Sequence, residues 1–529
     1  MEVRELNAYQ RWVLVAAILG SGLVFVDSTV VTVALPRIGQ DLPSLMLGVL
    51  EGQSYIYNGY LLTLSALLVL AGAANDHYGR KRMFQLGIAS FGVASVLCGL
   101  APNLEALVVF RILQGAAGAL LVPSSLSLIT ACFEGEQRGR AFGYWSGASA
   151  GTTILGPVIG GLLVDSLSWR AAFLVNVPFV LAALYATRNI LESRDTESAG
   201  KFDWGGSLIT ALAVGGLAFG TIYGQQREWR EPVAFVALGV GALATLCLPF
   251  WMANVRHPLV PLSLFRSRNF SVVNVSTFLI YGALYVILYF LTLFMQGVLG
   301  YSAAAAGLAG LPATLLLVLF SSRVGVLAAR FGQRVFMVVG PLLMAAGVLT
   351  FAFIPGTSEP WMLGLGEPLP PADYWTRIFP GLVIFGVGLT LMVTPLVTAL
   401  MASVPQERSG LGSAINNAIS RIGPQLLGAA LFVAITASFY AGLERRLPQI
   451  DTSAPEIRRD FAPLNPPGMS SLVEYTLEAH EASREASTDA FHLAMLVATG
   501  LLIVGAGVNL AIRNAPGVKP PAEVAVAAD

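Results

Sequence analysis

The chain has 529 residues, 55% of them hydrophobic and 12% charged, with a mean hydropathy of +0.70. Soluble domains carry about 25% charged residues, so this composition excludes disorder, collagen-like repeats and most soluble multidomain enzymes. Lys+Arg and Asp+Glu both number 31, so no net charge points to nucleic acid or an acidic partner. A polytopic membrane protein is expected. Lys is scarce (Lys81, Lys201, Lys519) and Ala abundant, which points to a GC-rich bacterial genome. Cys98, Cys132 and Cys247 lie far apart, in or beside apolar segments. Neither a metal site nor a structural disulfide is expected from them.

A helix needs about 20 apolar residues to cross a hydrocarbon core of roughly 30 Å. Fourteen stretches qualify: 12–35, 53–74, 84–100, 104–133, 141–164, 171–187, 204–223, 232–255, 270–299, 303–327, 335–354, 378–401, 410–440 and 490–510. The first is longer than the apolar core of a signal peptide, so no cleavable leader is expected. Backbone in lipid must satisfy its own hydrogen bonds, and runs this long and evenly apolar suit helices rather than barrel strands. An even number of spans puts both termini on one side. With the termini in the cytoplasm, the inner segments hold 18 Lys and Arg and the outer segments 10, five of them in the long 441–489 loop. Long loops weigh little in this bias. The expected location is the bacterial inner (cytoplasmic) membrane, with both termini cytoplasmic.

The first span ends F-V-D-S-T-V-V-T-V-A-L-P, Phe25 to Pro36. An ionisable group inside a span is costly and therefore marks function. By helical rise, Asp27 lies about 12 Å from the outer end of its span and Arg111 about 10 Å from the outer end of the fourth. Groups at matching depths in neighbouring helices can pair. Pairing favours the carboxylate and desolvation disfavours it, so a shift in that balance would load or release a proton at Asp27. A fixed structural ion pair is the competing reading for Asp27 and Arg111.

Between the second and third spans lies G-A-A-N-D-H-Y-G-R-K-R, Gly72 to Arg82. Gly79 can supply the tight turn. Asp76 and the cluster Arg80, Lys81 and Arg82 place opposite charges where they can lock or release neighbouring helix ends. The fourth span continues R-I-L-Q-G-A-A-G-A, and the fifth reads G-A-S-A-G-T-T-I-L-G-P-V-I-G-G, Gly147 to Gly161. Small residues at four-residue spacing let helices approach closely, and Gly156-Pro157 bends the span. Gly147 to Gly151 also spells G-x-S-x-G, but that nucleophile turn needs a strand-to-helix setting. Asn274-Val275-Ser276 is a glycosylation sequon only in spelling, since it too lies inside a span. The outer loop 355–377 is expected to be irregular, and 441–489 to end in a helix leading into the last span. His480 with Glu478 and Glu481 reads as a solvated helix face, so no metal is expected.

These residues carry a resemblance. Asp27 in its D-S-T-V-V-T-V-A-L-P run, the Gly72–Arg82 loop, Arg111–Ala119 and Gly147–Gly161 are similar to four signature motifs of the major facilitator superfamily. Fourteen spans, with W-R-A-A-F-L-V-N-V-P (Trp169–Pro178) and F-D-W-G-G (Phe202–Gly206), resemble its 14-helix drug:proton antiporters. The resemblance implies an all-α integral membrane fold of two six-helix bundles, 1–190 and 269–510. A linker, 191–268, would hold spans seven and eight, and a cytoplasmic tail would cover 511–529. It also implies alternating access around a central cavity. The Gly72 loop recurs as G-V-L-A-A-R-F-G-Q-R, Gly325 to Arg334, with Ala329 at the Asp position. The charge lock should therefore be strong in the first half and weak in the second.

The implied function is proton-coupled export of lipophilic drug-like compounds. Protons, a small lipophilic substrate and membrane lipid are the expected partners of a monomer. The proton gradient takes the place of a cofactor, and no nucleic acid is involved. Asp27 and Arg111 would couple protons, and Gly72, Asp76, Gly79, Arg80, Lys81, Gly147, Gly151, Gly156, Pro157, Gly160 and Gly161 would gate. The cavity wall is expected from Tyr57, Asn58, Trp145, Tyr281, Tyr285, Tyr289, Phe290, Gln296 and Arg421, although aromatic stripes and a buried Arg also serve packing. No Asp or Glu occurs from Pro232 to Ser358, which disfavours multiply cationic cargo. A lipid transporter of the same fold is the alternative. No paired acid/base, metal-ligand cluster or phosphate loop suggests an enzyme.

Overall fold

The computed structural model describes residues 6–43, 49–193, 202–227, 229–362, 369–452, 454, 457, 461–464 and 477–513. The expected helix start at 470–476 and the tail beyond 513 lie outside the described residues. Among those described, every long element is helical, and twelve helices are long and apolar enough to cross a membrane.

The first helices are α1 (Ala8–Asp41), α2 (Val49–Tyr78), α3 (Arg80–Gly99), α4 (Leu104–Gly118) and α5 (Leu121–Cys132). Then come α6 (Gly135–Ser166), α7 (Ala171–Leu174), α8 (Asn176–Thr187), α9 (Trp204–Gln226), α10 (Pro232–Asn254) and α11 (Ser263–Arg266). The remainder are α12 (Arg268–Gly297), α13 (Ala303–Ala309), α14 (Leu311–Phe331), α15 (Gln333–Phe351), α16 (Phe379–Ala402), α17 (Ser409–Arg446) and α18 (Leu477–Asn509).

Local chemistry explains the starts and breaks. Asn7 and Gln10 form a reciprocal capping box on α1, with Asn7 Oδ1 accepting from Gln10 N at 2.8 Å. Asn103 caps α4 by accepting from Ala106 N at 2.8 Å. Proline clashes with the carbonyl four residues before it, and two single spans of the sequence break at such points. Pro123 opposes Ala119, where α4 gives way to α5, and Pro178 opposes Leu174, where α7 gives way to α8. The loop 355–377 ends in one π-helical turn, Tyr374–Ile378.

Helices α1 to α8 pack on one another, and so do α12 to α18. Between them, α9 and α10 pair, with α9 resting on α2 and α17 and α10 largely exposed. The two sets meet through α2 on α17, α5 on α17 and α6 on α14. The corners Gly79 and Gly332 share a left-handed backbone, φ +108° and +88°. Each joins two antiparallel helices at the corresponding place in the repeat, a conformation that glycine alone adopts cheaply.

Candidate functional site

Five helices converge on Asp27. Asp27 and Arg111 are both 0% exposed and pair through Arg111 Nη1 and Asp27 Oδ2 at 2.6 Å. Arg111 Nη1 also donates to Gln114 Oε1 at 2.7 Å, and its Nε to the carbonyl of Ile56 at 3.2 Å. The guanidinium lies 4.1 Å over the Tyr60 ring, which shares the cation's field without offering a proton acceptor. Asp27 Oδ1 accepts from Gln114 Nε2 at 2.9 Å and from Asn176 Nδ2 at 3.0 Å, and both amides also donate to Ser95 Oγ. The carboxylate thus holds one charged and two neutral donors in a dry pocket, where such bonds are strong. Arg111 Nη2 and Asn176 Oδ1 are buried with no hydrogen-bond partner among the described residues. Three donors hold the carboxylate, two on Oδ1 and Arg111 on Oδ2, so a proton arriving at Asp27 competes directly with the charge of Arg111.

Two of these partners carry a signal in the sequence. Gln114 stands three residues after Arg111, hence on the same helix face, and Asn176 interrupts an apolar run. Ser95 carries no such signal, because a serine in a span commonly bonds its own helix, as Ser95 also does to Phe91 O.

The Gly72 loop builds a contact between the two helix sets. Asp76 Oδ1 accepts from Gly410 N at 3.1 Å and Oδ2 from Leu411 N at 2.8 Å, so the acid sits on the N-terminus of α17. A carboxylate is favoured there by the free amides and the helix dipole. Arg80 lies 3.5 Å from Asp76 Oδ1 and donates to the carbonyl of Gln406. A Cβ on Gly72 would stand 2.4 Å from Ala414 Cβ and 2.5 Å from Gly410 O, so only glycine lets α2 this close. The amides of Lys81 and Arg82 donate to the Glu192 carboxylate, both at 3.0 Å, so an acid more than a hundred residues further along the chain caps α3. In the second half Ala329 leaves the start of α6 without an acid from α14. An exposed pair, Arg330 with Glu136 at 2.9 Å, bridges the two helices instead.

The fifth-span glycines divide by position. Gly147 and its neighbours Gly139 and Gly143 press α6 on α14, with Gly147's Cβ position 2.7 Å from Ser321 Oγ. Gly156 and Gly160 press α6 on α1 at Thr29 and Val30. A Cβ on Gly151 would meet Val318 at 3.9 Å and one on Gly161 would meet nothing within 4 Å among the described residues, so no close helix approach rests on Gly161. The side chain of Pro157 lies outside the described residues.

The expected cavity residues separate likewise. Tyr57 of α2 is within electrostatic reach of Tyr285 on α12 and of Arg421 on α17, so three helices face one space. Tyr289 extends that face one turn beyond Tyr285, with Gln296 exposed two turns further and Tyr281 half-buried one turn before. Asn58 is half-buried beside Tyr57. Phe290 is a correction: it is 3% exposed in the packed interior, because it points opposite to Tyr285 on the same helix. Trp145 is another, at 7% exposed, with its Nε1 donating to Ser21 Oγ at 2.9 Å and its ring edge against Phe25. It ties α6 to α1 instead of facing the cavity.

A family model described as "Major Facilitator Superfamily" matches residues 17–429. The multidrug resistance protein Stp of Mycobacterium tuberculosis (strain CDC 1551 / Oshkosh) is 33% identical over 84% of this chain and 80% of its own. The tetracenomycin C resistance and export protein of Streptomyces glaucescens is 32% identical over 97% of this chain and 94% of its own. Among solved structures, the human organic anion transporter MFSD10 (TETRAN) superposes with a TM-score of 0.60 over 94% of this chain and 99% of that one. At 13% identity it shows the fold alone. Family match, relatives and fold agree: the chain is a multi-pass membrane protein that belongs to the Major Facilitator Superfamily.

Proposed function

We propose that this chain exports lipophilic drug-like compounds across the bacterial inner membrane in exchange for protons. Its relatives' names, multidrug resistance and tetracenomycin C resistance and export, support the cargo class. In this reading the helices form fourteen spans with both termini cytoplasmic, α6 and the α7–α8 pair completing the twelve. Bundles 1–190 and 269–510 rock about a central cavity, and α9 and α10 form the linker pair. The basic loop Arg80–Arg82 and the contacts of Asp76 with α17 then lie at the cytoplasmic face, which these contacts hold shut.

The observation that carries the coupling is the sealed Asp27–Arg111 pair. Protonation of Asp27 removes its charge and frees Arg111, whose remaining bonds go to Gln114, Ile56 O and the Tyr60 ring. Ile56 and Tyr60 belong to α2, the helix that carries Asp76 and the gate. A change of charge at Asp27 is thereby transmitted along one rigid helix to the contact with α17. The acid takes its proton while the cavity faces outward and gives it to the cytoplasm after reorientation.

Reconstituted transport under an imposed pH gradient tests this. Asp27→Asn, which cannot titrate, is expected to exchange substrate down its own gradient but not to be driven by protons. Full gradient-driven transport by Asp27→Asn refutes the mechanism.

A further inference from the structure

The space between the bundles has a sign. Between Arg408 and Glu444, α17 carries one charged residue, Arg421. It lies two turns, about 10 Å, beyond Ala414, on the face of α17 that meets Gly72 of α2. Its side chain is half-buried and makes no hydrogen bond or ion pair with any described residue. Tyr57 of α2 is within electrostatic reach of both Arg421 and Tyr285 of α12, while Tyr60, one turn on, is fully buried beneath Arg111. Tyr285 and Tyr289 are 54% and 56% exposed, so their hydroxyls are open to a ligand.

No acid balances this cation among the described residues of the chamber. Asp27 is closed off and committed to Arg111. Helices α12, α14 and α16 contain no Asp or Glu at all, and α2 has none between Tyr55 and Asn75. A lone guanidinium in a half-dry space attracts an anion far more strongly than it would in water. Its forked N–H groups donate only and the phenol hydroxyls can donate as well, and the tyrosine rings offer apolar faces to the rest of the ligand.

We propose that this chamber selects lipophilic monoanions, a carboxylate or phenolate on an aromatic body, with Arg421 as the ion-pair partner and Tyr57 and Tyr285 flanking it. The proposal rests on the export reading above and narrows its cargo. It also fixes the sign of the electrical driving force. An anion leaving and a proton entering both carry positive charge inward, so an inside-negative potential speeds acid export more than export of a neutral analogue.

The full chain in phosphatidylcholine nanodiscs is titrated with pyrenebutanoate, its methyl ester and a pyrenebutyl-trimethylammonium cation, read by energy transfer from tryptophan. These probes share one ring system and differ in charge. The acid is expected to bind roughly 10- to 100-fold more tightly than the ester. Arg421→Gln is expected to bind both alike, and Arg421→Lys to recover part of the difference. The proposal is overturned if the wild type binds the acid no tighter than the ester, or if Arg421→Gln binds the acid as the wild type does. Competition by phosphatidylglycerol assigns the anion site to lipid headgroups, and its absence assigns it to free acids. The same probes are then followed in proteoliposomes under a pH gradient. Driven transport of the ester or the cation without binding of the acid sinks the anion site and leaves export standing. Arg421-dependent binding with no driven transport of any probe does the reverse.

Discussion

Gly72→Ala isolates the contact between α2 and α17. The added Cβ would lie 2.4 Å from Ala414 Cβ and 2.5 Å from Gly410 O. Carbon atoms rest about 3.5–4.0 Å apart, so the two helices must separate locally by roughly 1 Å or more. Asp76 holds Gly410 N at 3.1 Å and Leu411 N at 2.8 Å, on the same turn that must move. That movement takes the longer bond past hydrogen-bonding range. Overpacking costs about 1–3 kcal/mol, and a bond to a charged acceptor contributes about 1.5–3 kcal/mol. At the lower bounds together the closed end loses about 2.5 kcal/mol, which is about a 70-fold shift in population. Electron–electron resonance between spin labels at Arg82 and Glu407, in a cysteine-free background, measures it. The long-distance population should grow in Gly72→Ala. Adding Ala414→Gly should restore the wild-type distribution only in part, because the clash with Gly410 O remains. An unchanged distribution in Gly72→Ala refutes the argument.

The remaining expectations concern the charged groups. Arg111→Lys keeps the charge but cannot reach Asp27, Gln114 and Ile56 O together or stack on Tyr60. It should lose about 1–3 kcal/mol of stability and most gradient-driven transport, read by thermal unfolding in detergent and by proteoliposome uptake. Asp76→Asn should raise labelling of a cysteine placed at the buried Ser409 from the cytoplasmic side, since one acceptor and the charge on the α17 amides are gone. Glu136→Gln should change neither labelling nor unfolding temperature, because its pair with Arg330 is solvent-exposed; equal effects of the two substitutions contradict the asymmetric lock. Asp203→Ala should cost about 1–3 kcal/mol of hydrogen bonding and so lower the unfolding temperature, while transport persists. Asp203 accepts from Gly206 N at 2.8 Å, Leu259 N at 2.9 Å and Trp251 Nε1 at 3.2 Å, clasping α9 to the end of α10.

Much of the site was readable as parts. Helical rise put Asp27 and Arg111 at one depth, and the structure pairs them at 2.6 Å. The Asp76 loop read as a helix-end lock, and the acid does sit on the first amides of α17. Its partner could not be read, because Gly410 and Leu411 lie more than three hundred residues further along the chain and differ in no visible way from other span residues. Phe290 and Trp145 failed as cavity residues for the same reason. An aromatic residue in a span is equally apolar toward lipid, cavity or core, and only packing decides which face it shows.

Hydropathy and helical periodicity are local properties, so the sequence alone determined a membrane chain of long helices with a glycine corner at Gly79, whereas the breaks before Pro123 and Pro178 showed only in the structure. It also marked which few charged groups fall inside the apolar stretches. The tertiary structure decided which of them meet. Gln114, Asn176 and Ser95 became partners of Asp27, and Glu192 became the cap of α3, only when distant helices packed. The physical reason is that a buried donor or acceptor must find its partner wherever packing delivers one, and spacing along the chain carries no record of that choice.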